Sequence, residues 1–182
     1  MIIVTSNKGK YAEYREIMER EGISLELVLM SYPEEQLDTV EEVARRSAEF
    51  LRNVVGGDFF IDDSGLFIES LKGFPGVYSS YVNRTLGNEG ILKLLDGKMD
   101  RGAEFRTCIA YYDGAVNIFV GKTRGVISTE IRGRNGFGYD PIFIPEGEGR
   151  TYAEMSTEEK DLLSHRSKAA SAFINFLKKK KI

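Results

Sequence analysis

The chain is nearly devoid of the two residues that most often crosslink secreted proteins or bind transition metals. Of its 182 residues, one is cysteine, Cys108, and one is histidine, His165. A lone cysteine excludes an intramolecular disulfide and a cysteine-rich metal site, and no Cys/His cluster supports zinc. A reducing, cytoplasmic setting is the expectation. Basic charge is also short: 25 Lys and Arg stand against 28 Asp and Glu, a formal net charge of −3. No overall positive field recommends the chain for duplex nucleic acid, although a local basic pocket for a small anion needs no basic protein. No apolar run approaches the roughly 20 residues of a membrane span, and "MIIVTSNKGK" turns polar too soon for a signal peptide. Repeats and low-complexity linkers are missing, and the 19 glycines are scattered rather than tandem. What is present is an ordinary globular composition, 42% hydrophobic and 29% charged, with length enough for one domain over residues 1–182.

The hydrophobic pattern predicts strands and helices mixed along the whole chain. "MIIVTS" reads as a short buried strand, followed by a helix in "NKGKYAEYREIMEREG", with Tyr11, Tyr14, Ile17 and Met18 at helical spacing and Gly22 as its stop. "ISLELVLM" is a strand, "SYPEEQLDT" a polar connection, and "VEEVARRSAEFLRNVV" a second amphipathic helix. "DFFIDDS" reads as a third strand and "GLFIESL" as a shorter extended piece. A loop and helical turns run through "ILKLLDG", after which "AEFRTCIAYYDGAVNIFVGKTRGVIS" alternates like paired strands about an Asp113-Gly114 turn. "RGRNGFGYDPIFIPEGEG" is a long loop with one short strand, and "STEEKDLLS" opens on a capping-box pattern, Ser156 to Glu159. "HRSKAASAFINFLKKKK" is a closing helix with Ala169, Phe173, Phe176 and Leu177 on one face and lysines at its negative end. The class is α/β, or mixed α+β.

Two familiar catalytic signatures are missing as well. The opening is not a Walker P-loop, and no Ser-His-Asp set with a nucleophile elbow is visible. Cys108 lies in an alternating strand and reads as core. Four constellations remain. Thr5-Ser6-Asn7, between strand and helix, brings hydroxyls, an amide and free backbone N–H groups to a helix N-terminus, which attracts phosphate; Lys8 and Lys10 add charge, although capping alone also accounts for Ser6 and Asn7. The acids Glu34, Glu35, Asp62, Asp63 and Glu69 include carboxylates that, converging from separate segments, would suit hard Mg²⁺. Alternation sends Asp62 and Asp63 to opposite faces of a strand, and Asp-Asp-Ser-Gly also reads as a turn. "GFGYDP", Gly136 to Pro141, offers glycines for close approach and Phe137 and Tyr139 as flat faces for a base, or as plugs of the core. "SHR", Ser164 to Arg166, puts the lone histidine beside an arginine at a helix start, where a structural role is equally open. Together they are the parts of a nucleotide enzyme.

The ordered set "TSNKGK", "DDSGL", "GFPGVYS", "FGYDPIF", "YAEM", "EK" and "SHR" resembles the inosine/xanthosine triphosphate pyrophosphatases along the whole chain. The resemblance implies an elongated mixed sheet flanked by helices, two lobes around a nucleotide cleft, a homodimer, and hydrolysis of noncanonical purine nucleoside triphosphates (ITP, dITP, XTP) to monophosphate and pyrophosphate with Mg²⁺. It implies that Thr5, Ser6, Asn7, Lys8 and Lys10 hold the triphosphate. Glu34 and Asp63 would be metal ligands, with Asp63 also serving the attacking water. Ser64, Phe137 stacking on the purine, Gly138, Tyr139, Asp140, Lys160, Ser164, His165 and Arg166 would complete the substrate contacts. Arg46 falls where relatives often place a phosphate-binding lysine, and Ser80 where some have a lysine. A free aspartate near 3.9 is a poor base at neutral pH. Asp62 or Glu34 nearby would raise it, bound Mg²⁺ would oppose that, and lowering of the water pKa is the larger effect, so an alkaline optimum is expected. The rival expectations are a pyrophosphatase for modified pyrimidine triphosphates and a non-catalytic nucleotide sensor.

Overall fold

A computed structural model of the chain describes residues 1–35 and 37–180; Gln36 of the polar connection and Lys181 of the closing helix lie outside the described residues. The centre is laid down by the most apolar strand. β1 (Ile2–Val4) pairs in parallel with β2 (Glu26–Val28) on one side and β3 (Phe59–Ile68) on the other. β3 is antiparallel to β5 (Gly102–Tyr112), and β5 to β6 (Val116–Ile127), the latter two joined by the turn expected at Asp113-Gly114. β4 (Pro75–Gly76) pairs with β3, and β7 (Phe143–Pro145) closes the far edge. The described residues form a seven-stranded mixed sheet in the order β2-β1-β3-β5-β6-β7, with β4 alongside β3. The expected strand "ISLELVLM" shrinks to three residues because its only neighbour, β1, is itself three residues long.

Alternation along β3 decides what covers each face. Phe60 joins the apolar residues of helices α1 (Lys8–Arg20) and α6 (His165–Lys180), while Phe59 and Ile61 meet helix α2 (Val40–Leu51). A further apolar cluster gathers at the other end of β3, around Leu66 and Ile68, with Val82 of α3 (Ser79–Thr85) and Ile91 of α4 (Gly87–Leu94). The helices begin as their sequences predict. The Asn7 side chain accepts from the N–H groups of Gly9 and Lys10, and Thr39 accepts from Glu42. Ser156 and Glu159 form the reciprocal capping box that starts α5 (Thr157–Leu163). No helix among the described residues is long and apolar enough to cross a membrane.

One element differs from its sequence reading in a way that creates the site. "DFFIDDS" and "GLFIESL" are not two pieces but one strand of ten residues, because β5 pairs with every position from Phe59 to Ile68. On its other edge β3 has company only at the ends. β1 reaches the level of Phe60, where Ile3 pairs, and β4 takes over at Leu66, opposite Gly76. Between them, Ile61 to Gly65 face a gap in the sheet, and the two aspartates sit in that gap.

Candidate active site

The gap opens into a cavity of about 770 Å³. One wall is the β1–α1 turn. Thr5 is buried and its hydroxyl accepts from the Asn7 N–H at 3.1 Å, while Asn7 Oδ1 caps Gly9 and Lys10 at 2.9 and 3.1 Å. The capping role left open for Asn7 is therefore real, and the turn still lines the cavity, with Ser6 and Lys8 exposed. Gly9 touches the second constellation directly: a Cβ there would lie 2.7 Å from the Phe137 ring. A side chain at position 9 would push that ring away, so glycine lets the β1–α1 turn and the aromatic loop share a wall.

The floor is β3, and here the two aspartates part. Asp62 is buried and fully partnered. Its Oδ1 meets Lys10 Nζ at 2.6 Å and the Ser64 hydroxyl at 2.6 Å. Its Oδ2 accepts from the Tyr14 hydroxyl at 2.5 Å and Arg166 Nε at 3.0 Å. Lys10 Nζ also donates to the Asp62 carbonyl at 2.9 Å, satisfying part of the strand's unpaired edge. Burial alone would raise the acid, but Lys10 and Arg166 outweigh it and hold the carboxyl well below the ordinary carboxylate range.

Asp63 faces the other way and has nothing of the kind. Its Oδ2 is buried without a hydrogen-bond partner among the described residues. Burial pushes its acid up to about 7, Glu34 and Asp62 add to the effect, and Lys10 opposes it. Neighbouring acids were expected to raise this group; the larger cause is burial. A carboxyl that titrates near neutrality is suited to accept a proton, and an unpartnered oxygen is free to meet one. Glu34 reaches the same cavity from beyond β2 and is exposed.

Behind the cavity runs a chain of buried charges. Asp62 shares Arg166 with Glu13, whose other oxygen takes Lys160 Nζ at 2.6 Å. Lys160 continues to Asp140 Oδ2 at 2.7 Å, and that oxygen also accepts the Phe137 N–H at 2.8 Å. Burial would raise the Glu13 acid, yet Arg166 and Lys160 hold it below its ordinary value. Three carboxylates and two cations thus link β3 to the loop carrying Phe137. That loop is wound tightly: Gly136 has φ +71°, and a Cβ there would lie 2.1 Å from Asp140 Oδ2. Phe137 is half-buried, with Lys160 Nζ 5.3 Å and the Arg166 guanidinium 5.5 Å from its ring centre. Gly138 borders the cavity and its carbonyl accepts from Asn88.

The remaining expected residues divide. Tyr139 borders the cavity but is buried in the core, its hydroxyl donating to the Ser79 carbonyl at 2.9 Å, so it serves as a plug. His165 lies at the cavity, stacked on Phe105 with ring centres 4.5 Å apart; burial, with Arg166 and Lys160 nearby, keeps it neutral. Ser64 lines the cavity and accepts from Arg166 Nη2 at 3.2 Å. Lys160 stands behind the wall, and Ser164 turns inward to Ser167, 3.1 Å away, at the start of α6. Arg46 is not brought to the cavity: it is exposed on α2 and faces Glu35 at 3.5 Å and Glu49 at 3.4 Å. Cys108 is buried opposite Asp63, with burial holding its thiol protonated, as a core residue would be. Glu13 and Tyr14 were missed as site residues. The legible sign was a carboxylate at position 13 on the same helical stripe as Tyr14 and Ile17.

Among the described residues, no three or more His, Cys, Asp or Glu side chains gather as a ready metal cage. Of the four carboxylates lining the cavity, Asp62 and Asp140 are paired with cations, which leaves Glu34 and Asp63 as hard oxygen donors. That pair, with one buried oxygen unpartnered, fits Mg²⁺, which keeps several waters and fills its shell with substrate oxygens.

A family model described as the Ham1 family matches residues 1–176. The chain belongs to the Ham1 family. It is 56% identical over 178 residues to a dITP/XTP pyrophosphatase of Thermococcus kodakarensis, covering 98% of this chain and 97% of that one. It is 52% identical to a dITP/XTP pyrophosphatase of Pyrococcus horikoshii, covering 98% and 96%. Among solved structures, a HAM1 protein from Coxiella burnetii superposes with a TM-score of 0.84 at 31% identity, covering 98% of this chain and 99% of that one. The Ham1 protein of Staphylococcus aureus gives 0.82 at 30%, covering 99% and 100%. These Ham1 structures bear out the mixed α/β sheet flanked by helices.

Proposed function

We propose that this Ham1-family chain hydrolyses noncanonical purine nucleoside triphosphates, ITP, dITP and XTP, to the monophosphate and pyrophosphate. The observation that carries the reading is Asp63: a buried carboxylate with an unpartnered oxygen, in one cavity with a phosphate-attracting helix start and a half-exposed aromatic ring. The names of the relatives from Thermococcus and Pyrococcus support the substrate class. Asp63 accepts a proton from the attacking water, whose oxygen bonds to the α-phosphorus as the bond to the bridging oxygen breaks and pyrophosphate leaves. Lys8, Lys10 and the α1 N-terminus offset charge on the phosphates. Phe137 takes the purine face, and donors near Asp140, His165 and Arg166 meet the 6-carbonyl, where the adenine amino group would leave them unpaired. Glu34 and Asp63 would hold Mg²⁺. When bound, the ion neutralises phosphate charge and lowers the pKa of water. Without metal the Asp63 acid lies near 7; bound Mg²⁺ would lower it, so the rise of turnover toward alkaline pH would follow ionisation of the water. Residues 1–182 act in this reading as one domain, with two lobes about the cleft, as a cytoplasmic homodimer.

The test is pyrophosphate release from a panel of ITP, dITP, XTP, ATP, GTP, dUTP and methylated pyrimidine triphosphates, at neutral and alkaline pH, with and without Mg²⁺. Release from the first three only, and only with Mg²⁺, is expected. ATP cleaved as fast as ITP would overturn the reading, and binding without release would favour a sensor.

A further inference from the structure

The charges facing the cavity do not balance a triphosphate as they stand. Such a chain carries about four negative charges at neutral pH, and cations already paired with a carboxylate answer them less fully than unpaired ones do. The cations lining the cavity are Lys8, Lys10, Arg84 and Arg166. Lys10 and Arg166 are held by Asp62 at 2.6 and 3.0 Å, and Arg166 also by Glu13. Lys160 is held by Glu13 and Asp140, and Arg46 is turned to Glu35 and Glu49 outside the cavity. Among the described residues, Lys8 and Arg84 are the lining cations whose side chains make no ion pair or hydrogen bond within the chain.

Arg84 also has a particular place. A smaller cavity of about 130 Å³ adjoins the main one, and the two share Glu34, Val77, Ser80 and Arg84. Neither Phe137 nor His165 borders the smaller cavity. The junction therefore lies beside Glu34, and the Phe137 ring does not border it. Ser80 and Arg84 are four residues apart on α3 and share a face, so the short serine leaves that face to the guanidinium.

We propose that Arg84 is a phosphate-binding residue of this cleft, taking the β,γ end of the triphosphate that departs as pyrophosphate. The inference rests on the nucleotide reading above and adds a residue to it. A guanidinium presents paired N–H donors to two phosphate oxygens, where lysine offers a point charge.

The test is calorimetric binding of inorganic pyrophosphate and, separately, of IMP, each with Mg²⁺, to the wild type, Arg84→Ala and Arg84→Lys, with melting curves to confirm folding. Pyrophosphate affinity falls about tenfold or more in Arg84→Ala and is partly recovered in Arg84→Lys, while IMP affinity is unchanged. Unchanged pyrophosphate affinity in Arg84→Ala, equal losses for both ligands, or no pyrophosphate binding by the wild type would each overturn the proposal. Because binding is read without turnover, it stands or falls separately from the assignment of the reaction. A wild type that binds pyrophosphate but releases none from any nucleotide refutes the reaction and leaves Arg84 supported.

Discussion

The two faces of β3 at Asp62 and Asp63 carry the same side chain in opposite states. On the α1/α6 face, Asp62 is met by Lys10, Tyr14, Ser64 and Arg166 and stays ionised although buried. On the α2 face, Asp63 has an oxygen with no partner, and burial carries its acid to about 7. One residue of offset along an extended chain separates a carboxylate tied into the wall from a carboxyl with an oxygen left unpartnered. Burial does not distinguish them, since both are buried; the partners do.

The comparison is broken most severely from the Asp62 side. Asp62→Ala strips a buried partner from both Lys10 and Arg166, and we expect a loss of roughly 3–5 kcal/mol in denaturant unfolding. A loss below about 1 kcal/mol would mean that the network is not what holds this wall. Asp62 also has a pH signature: its folded-state acid is depressed, so its contribution is present above the unfolded value near 4 and is lost as pH falls further.

Asp63 has the opposite sign. Its folded-state acid is raised from 3.8 to about 7, so between those values the folded state binds the extra proton. Stability from this group is therefore full below about 4, declines as pH rises, and is gone above about 7. In metal-free protein, Asp63→Asn should be more stable than the wild type above pH 7, by on the order of a few kcal/mol, and the gap should close toward pH 4. Melting temperatures across that range check it; a gap that does not change with pH would remove the raised acid from the account.

The smallest effect comes from Tyr14→Phe. It deletes one donor to an Asp62 oxygen that keeps Arg166, so a loss of about 1 kcal/mol is expected in the same unfolding experiment.

Legibility in the sequence followed the range over which each contact acts. The hairpin at Asp113-Gly114, the capping box at Ser156 and Glu159 and the division of Asp62 from Asp63 are local patterns, and they are found as read. The continuity of β3 was hidden because Asp-Asp-Ser-Gly has turn chemistry, and only pairing with β5 carries the strand through it. Glu13, Lys160 and Arg166 meet across more than 140 residues, so no window of sequence shows why a helix stripe holds a carboxylate. Arg46 has the charge expected near its place, but the rotation of α2 turns it outward to Glu35 and Glu49. The same long-range placement brings Arg84 to the cleft.

The division of labour on β3 is tested most directly by pyrophosphate release from ITP by Asp63→Asn under saturating Mg²⁺, at a pH above 7. Turnover should fall about 10²–10⁴-fold, with the melting temperature of the metal-free variant at or above that of the wild type. Turnover near the wild-type rate would contradict it and take Asp63 out of the chemistry.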